Sequence, residues 1–63
     1  MITPTEEDIG RGVIYQASYP DAPREDGVIT RVVDAETVFV RYKGQHPGAG
    51  GQSTSCSDLE WAR

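Results

Sequence analysis

Two side chains of this sequence are of types that together perform nucleophilic chemistry: Cys56, the single cysteine, and His46, the single histidine. A thiol attacks as a thiolate, and a nearby imidazole is one way to form the thiolate near neutral pH. His46, however, lies in the glycine- and proline-rich segment 44–52, GQHPGAGGQ, which holds a side chain poorly, and no Asn or Asp is placed to orient it. We therefore expect a lone, partly buried thiol, no catalytic residues and a protein that is not an enzyme.

The same residues do not make a metal or cofactor site. Zinc takes three or four protein ligands, and one histidine and one cysteine are too few. Segment 44–52 has the glycines of a phosphate-binding loop, but such a loop ends in Gly-Lys-Ser/Thr and opens a helix, whereas Gln52 stands at the lysine position. The composition instead favours a mobile connection between strands. We expect no metal and no cofactor.

A β-hairpin over residues 27–43, GVITRVVDAETVFVRYK, is the strongest structural pattern in the sequence. Two runs of β-branched residues flank a polar turn at residues 34–37, DAET. Alternation places Val38, Val40 and Tyr42 on one face of the second strand, and we expect this face to meet the core.

On the first strand of the hairpin, the set of alternate residues without a charge is expected to face the core, namely Val28, Thr30 and Val32. The outer face is then predicted to carry Ile29, Arg31, Val33, Phe39, Arg41 and Lys43. A single bulge would exchange the faces beyond it, and Ile29 is the residue most subject to that error.

Before the hairpin, the sequence predicts one helical turn, one strand and one loop. Residues 3–6, TPTE, have a threonine cap, a proline at the first helical position and a glutamate at the third, and Ile9 is expected to pack onto the core. Residues 11–17 predict a strand with Val13 and Tyr15 on one face. Residues 18–26 contain two prolines and predict a long loop.

After the hairpin, residues 53–57 are compatible with a short strand, and residues 57–60, SDLE, have the spacing of a capping box. They predict a 3₁₀ turn before a final short strand. The whole order predicts a mainly β fold over residues 1–63, a single SH3-like small barrel of about five short antiparallel strands. An open three-stranded sheet with an N-terminal helical turn is the alternative. The expected buried residues are Val13, Val32, Val38, Val40, Leu59 and Trp61.

Size and charge exclude several classes of protein. A chain of 63 residues has room for one domain. The formal net charge of −4 argues against general binding to nucleic acid or to an anionic membrane by phosphate neutralisation. One cysteine allows no intrachain disulfide, no apolar run is longer than three residues, and the N-terminus lacks the pattern of a signal peptide. The expected location is cytoplasmic, without membrane contact.

Five stretches of the sequence carry a resemblance to a family: DIGRGVIY at 8–15, EDGVITRV at 25–32, VFVRY at 38–42, TS at 54–55 and DLEW at 58–61. Together they resemble small uncharacterised proteins of tailed phages and prophages, over nearly the whole chain. The resemblance implies a small SH3-like barrel, with a weaker likeness to Tudor and KOW modules, and it implies no particular activity. The chain departs from the family pattern at Cys56-Ser57, where a proline and an acid are common, and in its longer glycine-rich loop.

The expected function is a non-enzymatic protein-binding module of phage or prophage origin, with a host or phage protein as partner. Exposed arginine and aromatic side chains form the hot spots of such surfaces. Of the aromatic residues, Tyr15, Tyr42 and Trp61 are expected in the core. The candidate partner-binding residues are Tyr19, Arg31, Phe39, Arg41 and Lys43. The alternative is a nucleic-acid-associated small barrel that uses the basic patch of the hairpin.

Overall fold

The computed structural model describes residues 1–16, 21, 23–45, 48 and 50–62. Five antiparallel strands form one sheet in the order β4-β3-β2-β1-β5, and two single 3₁₀ turns accompany them. The elements in chain order are a first 3₁₀ turn (Glu6–Asp8), β1 (Gly12–Gln16), β2 (Arg24–Val32), β3 (Thr37–Tyr42), β4 (Gln52–Ser55), a second 3₁₀ turn (Cys56–Asp58) and β5 (Leu59–Trp61).

The sheet rolls up because of the way its two outermost strands are connected. In a flat five-stranded sheet, β4 and β5 would lie about 19 Å apart. Only the second 3₁₀ turn, three residues long, joins the end of β4 to the start of β5. Such a turn rises about 2 Å per residue. The sheet must therefore curve until β4 and β5 come close together at this turn. This curvature confirms the predicted mainly β, barrel-like fold with its N-terminal and late 3₁₀ turns.

The hairpin between β2 and β3 forms as predicted, and Asp34 fixes its turn. The carboxylate oxygen Oδ1 of Asp34 accepts hydrogen bonds from the backbone N–H groups of Glu36 at 2.8 Å and Thr37 at 2.9 Å. An aspartate that bonds the backbone two residues on is a common way to hold a tight turn. Beyond the turn, Val38, Val40 and Tyr42 are all buried, as their spacing predicts.

A β-bulge at Thr30 corrects the predicted faces of β2. Ile29 lies opposite Val40 and Arg31 opposite Phe39, so Thr30 is an extra residue with no partner on β3. A bulge shifts the alternation by one residue. Ile29, predicted on the outer face, is therefore turned into the core and is 1% exposed. Val28, predicted in the core, is only half-buried and lies opposite Arg41 on the outer face.

The core confirms most of the predicted buried residues and adds others. Val13, Val38, Val40 and Leu59 are fully buried, whereas Val32 and Trp61 are only half-buried and pack against the core from its rim. Ile9, expected on the core, is 47% exposed. The first 3₁₀ turn begins after Thr5 rather than after Thr3, and Ile2, not Ile9, packs into the core from the N-terminal segment. The residues that complete the core are Ile2, Ile29, Tyr42 and Cys56.

Two further boundaries differ from the prediction. Arg24–Asp26, predicted as loop, form the start of β2 and pair with β1 from Gln16 to Ile14. Backbone hydrogen bonding to a neighbouring strand does not require apolar side chains. The charged residues Arg24–Asp26 therefore gave no sequence pattern that predicts a strand. The second 3₁₀ turn starts two residues earlier than predicted, because Ser55 rather than Ser57 accepts the capping hydrogen bond.

Candidate functional site

The outer side of the hairpin carries a patch that we call the arginine face. Arg31 and Phe39 are directly opposite each other on β2 and β3, and so are Val28 and Arg41. Directly opposite residues of an antiparallel pair share a face and lie about 5 Å apart. The structure therefore brings the predicted basic and aromatic side chains together. The arginine face consists of Val28, Arg31, Val33, Phe39, Arg41 and Lys43.

Arg31 is held against the aromatic ring that it faces. Its guanidinium carbon lies 6.0 Å from the centroid of the Phe39 ring, at the outer limit of a cation–π contact. Arg31 itself is exposed and Phe39 is half-buried, so the guanidinium lies on the solvent side of the ring. Val33 is 49% exposed at the edge of the same face. The arrangement places a planar cation beside exposed apolar surface.

The basic end of the arginine face is partly neutralised. Lys43 Nζ lies 3.9 Å from the Asp26 carboxylate, in a pair that is open to solvent. Between this pair and Val28, a shallow cleft of about 270 Å³ runs toward the Gly44–Gln45 turn, with Arg41 on its wall. The face thus ends in a concave region rather than in a uniform basic surface.

The last candidate binding residue, Tyr19, lies outside the described residues. So do three members of the glycine-rich loop, His46, Pro47 and Ala49. The described ends of that loop are anchored: Gln45 Oε1 accepts a hydrogen bond from the backbone N–H of Tyr42 at 2.9 Å. The mobility of segment 44–52 stays a prediction.

A second concave region, absent from the sequence-based hypotheses, lies at the end of the barrel where β1, β2 and β4 meet the second 3₁₀ turn. We call it the tyrosine pocket, defined by Tyr15, Glu25, Tyr42, Thr54 and Asp58, and its volume is about 310 Å³. The Tyr15 and Tyr42 rings meet edge to face, with centroids 5.9 Å apart and planes at 74°. Tyr15 was expected in the core, but it is half-buried and forms a wall of this pocket.

Hydrogen bonds fix the hydroxyl of Tyr42 at the floor of the tyrosine pocket. Thr54 Oγ1 donates its single proton to the Gln52 carbonyl oxygen at 3.1 Å. Thr54 therefore accepts from the Tyr42 hydroxyl, 2.9 Å away. Burial raises the pKa of Tyr42, and the negative charges of Glu25 and Asp58 add to that rise. The phenol is therefore neutral at physiological pH.

A third cluster joins the first 3₁₀ turn to β5. Asp8 Oδ1 lies 3.0 Å from Arg11 Nη1, and the Arg11 guanidinium carbon lies 4.0 Å from the centroid of the Trp61 ring. Trp61 was expected to close the core, yet one side of its indole is covered by this arginine instead. Arg11 thus covers part of the ring at the rim of the core, and the cluster acts as packing rather than as a reactive site.

Cys56 is placed unfavourably for nucleophilic chemistry. It is 1% exposed, and its backbone N–H donates to the Glu36 carbonyl oxygen at 2.8 Å. Burial raises the pKa of its thiol, as do the nearby charges of Asp34 and Glu36. In the described part of the chain, no three His, Cys, Asp or Glu side chains lie close enough together to hold a metal ion.

Comparisons with other proteins add no assignment. No helix among residues 1–16, 21, 23–45, 48 and 50–62 is long and apolar enough to cross a membrane. Comparison of the chain with protein-family models, with curated proteins and with solved structures gives no match.

Proposed function

We propose that this chain is a non-enzymatic protein-binding module of phage or prophage origin that presents its arginine face to an acidic, partly apolar segment of a host or phage protein. The observation that carries the proposal is the placement of Arg31 against Phe39, with Val28 and Arg41 beside them on the same outer surface. Arginine and aromatic side chains are enriched among residues that dominate binding energy, particularly where a rim of other contacts excludes water. The origin rests on the sequence resemblance.

A protein partner fits this surface better than a nucleic acid does. Phosphate neutralisation needs several unengaged cations, and Lys43 already has Asp26 within 3.9 Å. The chain as a whole carries a net charge of −4, which repels a polyanion at long range. The apolar part of the arginine face, by contrast, is suited to burial against a protein surface. We therefore favour a protein over a nucleic acid as the partner of this face.

The test is affinity capture with a matched set of variants. The tagged chain and its Arg31→Ala/Arg41→Ala variant are used to capture proteins from a phage-infected host lysate. The control variant is Arg24→Ala, an exposed arginine near the start of β2 that lies outside the arginine face. We expect the double variant to lose a partner that the parent and the control both retain. Arg31 is exposed and Arg41 is half-buried on the outer surface. Surface substitutions usually cost little, so the free energy of unfolding of the double variant should change by less than about 1 kcal/mol.

Two results would overturn the proposal. One is retention of every captured protein by the double variant while it stays folded. The other is an electrophoretic mobility shift of DNA or RNA at low salt that the parent produces and the double variant does not, because that result assigns the face to nucleic acid.

A further inference from the structure

We propose that the tyrosine pocket is a second binding site, on a different part of the barrel from the arginine face, and that it receives one arginine or lysine side chain from an extended segment of a partner protein. This inference goes beyond the proposed function and does not depend on it. Its basis is that two aromatic rings and two carboxylates line one cavity.

The walls of the tyrosine pocket combine aromatic rings with carboxylates. Tyr15 and Tyr42 both contribute rings to the cavity, and Glu25 and Asp58 contribute carboxylates. Among the described residues that line it there is no lysine or arginine. A cation is attracted both by the faces of aromatic rings and by carboxylates, and each attraction strengthens as water is removed. An anion or a neutral apolar group would gain neither.

The two carboxylates of the tyrosine pocket are available to a ligand. Glu25 is exposed and Asp58 half-buried, and neither forms an ion pair with any residue that the structure describes. Both lie close enough to Tyr42 for their charges to act on its hydroxyl. Glu25 reaches this position because it is directly opposite Tyr15 on β1, and Asp58 because it immediately precedes Leu59, the other partner of Tyr15. The negative charge of the pocket is thus built by strand register.

The Tyr42 wall of the tyrosine pocket is held in place by its surroundings. Tyr42 is 8% exposed, and its hydroxyl is held by buried Thr54. Gly27 lies opposite Tyr42, and a methyl group there would come within 3.0 Å of the ring, so the tyrosine packs directly on the backbone of β2. A wall that is already ordered loses little entropy when a ligand binds.

The size of the tyrosine pocket and the edge strand beside it indicate that the occupant is a side chain of a peptide segment. A cavity of about 310 Å³ is at the lower end of the range for ligand sites, which suits one side chain. Residues Gln52–Ser55 form one of its walls, and they belong to β4, an edge strand with no second partner among the described strands. An edge strand offers backbone hydrogen bonds to an extended segment, and such a segment delivers alternate side chains into adjoining pockets.

The experiment uses two blocked pentapeptides that differ only in charge, Gly-Gly-Arg-Gly-Gly and its citrulline analogue, titrated into isotopically labelled protein. We expect the arginine peptide to bind at least about tenfold more tightly and to shift the ring resonances of Tyr15 and Tyr42. The affinity should fall as salt rises from 20 to about 200 mM, because exposed carboxylates are screened.

Variants separate the contributions without unfolding the protein. Glu25→Gln and Asp58→Asn keep the size of the side chain, and the pair together should weaken binding of the arginine peptide at least about tenfold. Tyr15→Phe keeps the ring and should bind as the parent does, whereas Tyr15→Leu should lose affinity. The Arg31→Ala/Arg41→Ala variant should bind this peptide normally, which keeps the outcome independent of the arginine face.

Three results would overturn the proposal. They are equal binding of the arginine and citrulline peptides, peptide-induced shifts confined to the arginine face, and unchanged affinity in the folded Glu25→Gln/Asp58→Asn variant. If dilution of the protein alone reproduces the shifts, the occupant is a second copy of this chain, and the assignment to a separate partner is wrong.

Discussion

The hydroxyl of Thr30 donates a hydrogen bond to the carbonyl oxygen of Gly50 at 2.9 Å, and it also lies 3.3 Å from the carbonyl oxygen of Phe39. Thr30 is the extra residue of the bulge in β2, and Gly50 is near the end of the loop that leads into β4. The Thr30 side chain therefore connects the bulge that turns Ile29 inward to the loop that leads into β4.

Replacing Thr30 by valine should lower the free energy of unfolding by about 1 kcal/mol. Valine keeps the branched shape and the strand preference but removes the hydroxyl, which leaves the Gly50 carbonyl without this donor. The measurement is urea denaturation, and Thr30→Ser is the control because it retains the hydroxyl. Equal stability of the valine variant and the parent would show that the bulge does not need this hydrogen bond.

Gly27→Ala should destabilise the barrel, by about 1 to 3 kcal/mol, through overpacking. The added methyl group would lie 2.5 Å from Val40 Cγ1 and 3.0 Å from the Tyr42 ring. Gly50→Ala is the matched control, since a methyl group there meets no atom within 4 Å. We expect thermal denaturation to show a clear loss for the first variant and almost none for the second. Similar melting temperatures for both would contradict the packing of Tyr42 on β2.

Asp8→Asn should weaken the protein near neutral pH but not in acid. The backbone N–H of Thr5 donates to Asp8 at 2.8 Å, and this hydrogen bond, followed by the one from Arg11, holds the pKa of Asp8 below its ordinary value. A depressed pKa in the folded state means that the stabilisation is present above the unfolded pKa, about 3.9, and is lost as pH falls through the folded pKa.

Urea denaturation of the parent and Asp8→Asn between pH 2 and pH 6 measures this effect. The two stabilities should differ at pH 6 and converge as pH falls below about 3.9. Glu7→Gln makes the same change of charge one residue earlier, at an exposed position, and should show a smaller difference. A constant difference across the range would mean that the variant acts through shape and not through the charge of Asp8.

Cys56 should resist alkylation while the protein is folded. Burial, with the charges of Asp34 and Glu36, raises the pKa of its thiol, so little thiolate is present at pH 8 and the reagent reaches it only when the chain opens. We expect iodoacetamide to react at least about 100-fold more slowly with the folded chain than with the chain in urea. Rates within about tenfold of each other would place the thiol near the surface.

The same thiol gives a pH dependence of opposite sign to that of Asp8. A pKa that is raised by folding contributes stability that is present below the unfolded pKa, about 8.5, and is lost as pH rises through the folded pKa. The stability difference between the parent and Cys56→Ala should therefore shrink above about pH 8.5. A difference that grows with pH would mean that the folded protein favours the thiolate.

The hairpin at the centre of this fold was determined by the sequence itself. Alternation of β-branched residues buried Val38 and Val40, and Asp34 had the side chain needed to bond the backbone of a tight turn. These features depend on neighbours within a few residues, so the spacing of residue types is enough to predict them. The placement of Arg31 and Phe39 together followed from the same local rule.

Only the tertiary structure decided the features that depend on distant partners. The bulge that buries Ile29 is held by Thr30, whose hydroxyl donates to the carbonyl oxygen of Gly50, twenty residues farther along the chain. The Trp61 ring lies at the rim of the core and contacts Arg11, a residue from the other end of the chain.

The tyrosine pocket was decided in the same way, because five separate elements contribute its walls. Tyr15 alternates with Val13 as a core residue should, and nothing in its local sequence shows that the barrel ends there. Whether a side chain on the inner face of a strand is buried depends on what the rolled sheet places over it. Here the sheet placed Glu25 and Asp58 around the two rings, and that arrangement exists only once the register of β1 with β2 and β5 is set.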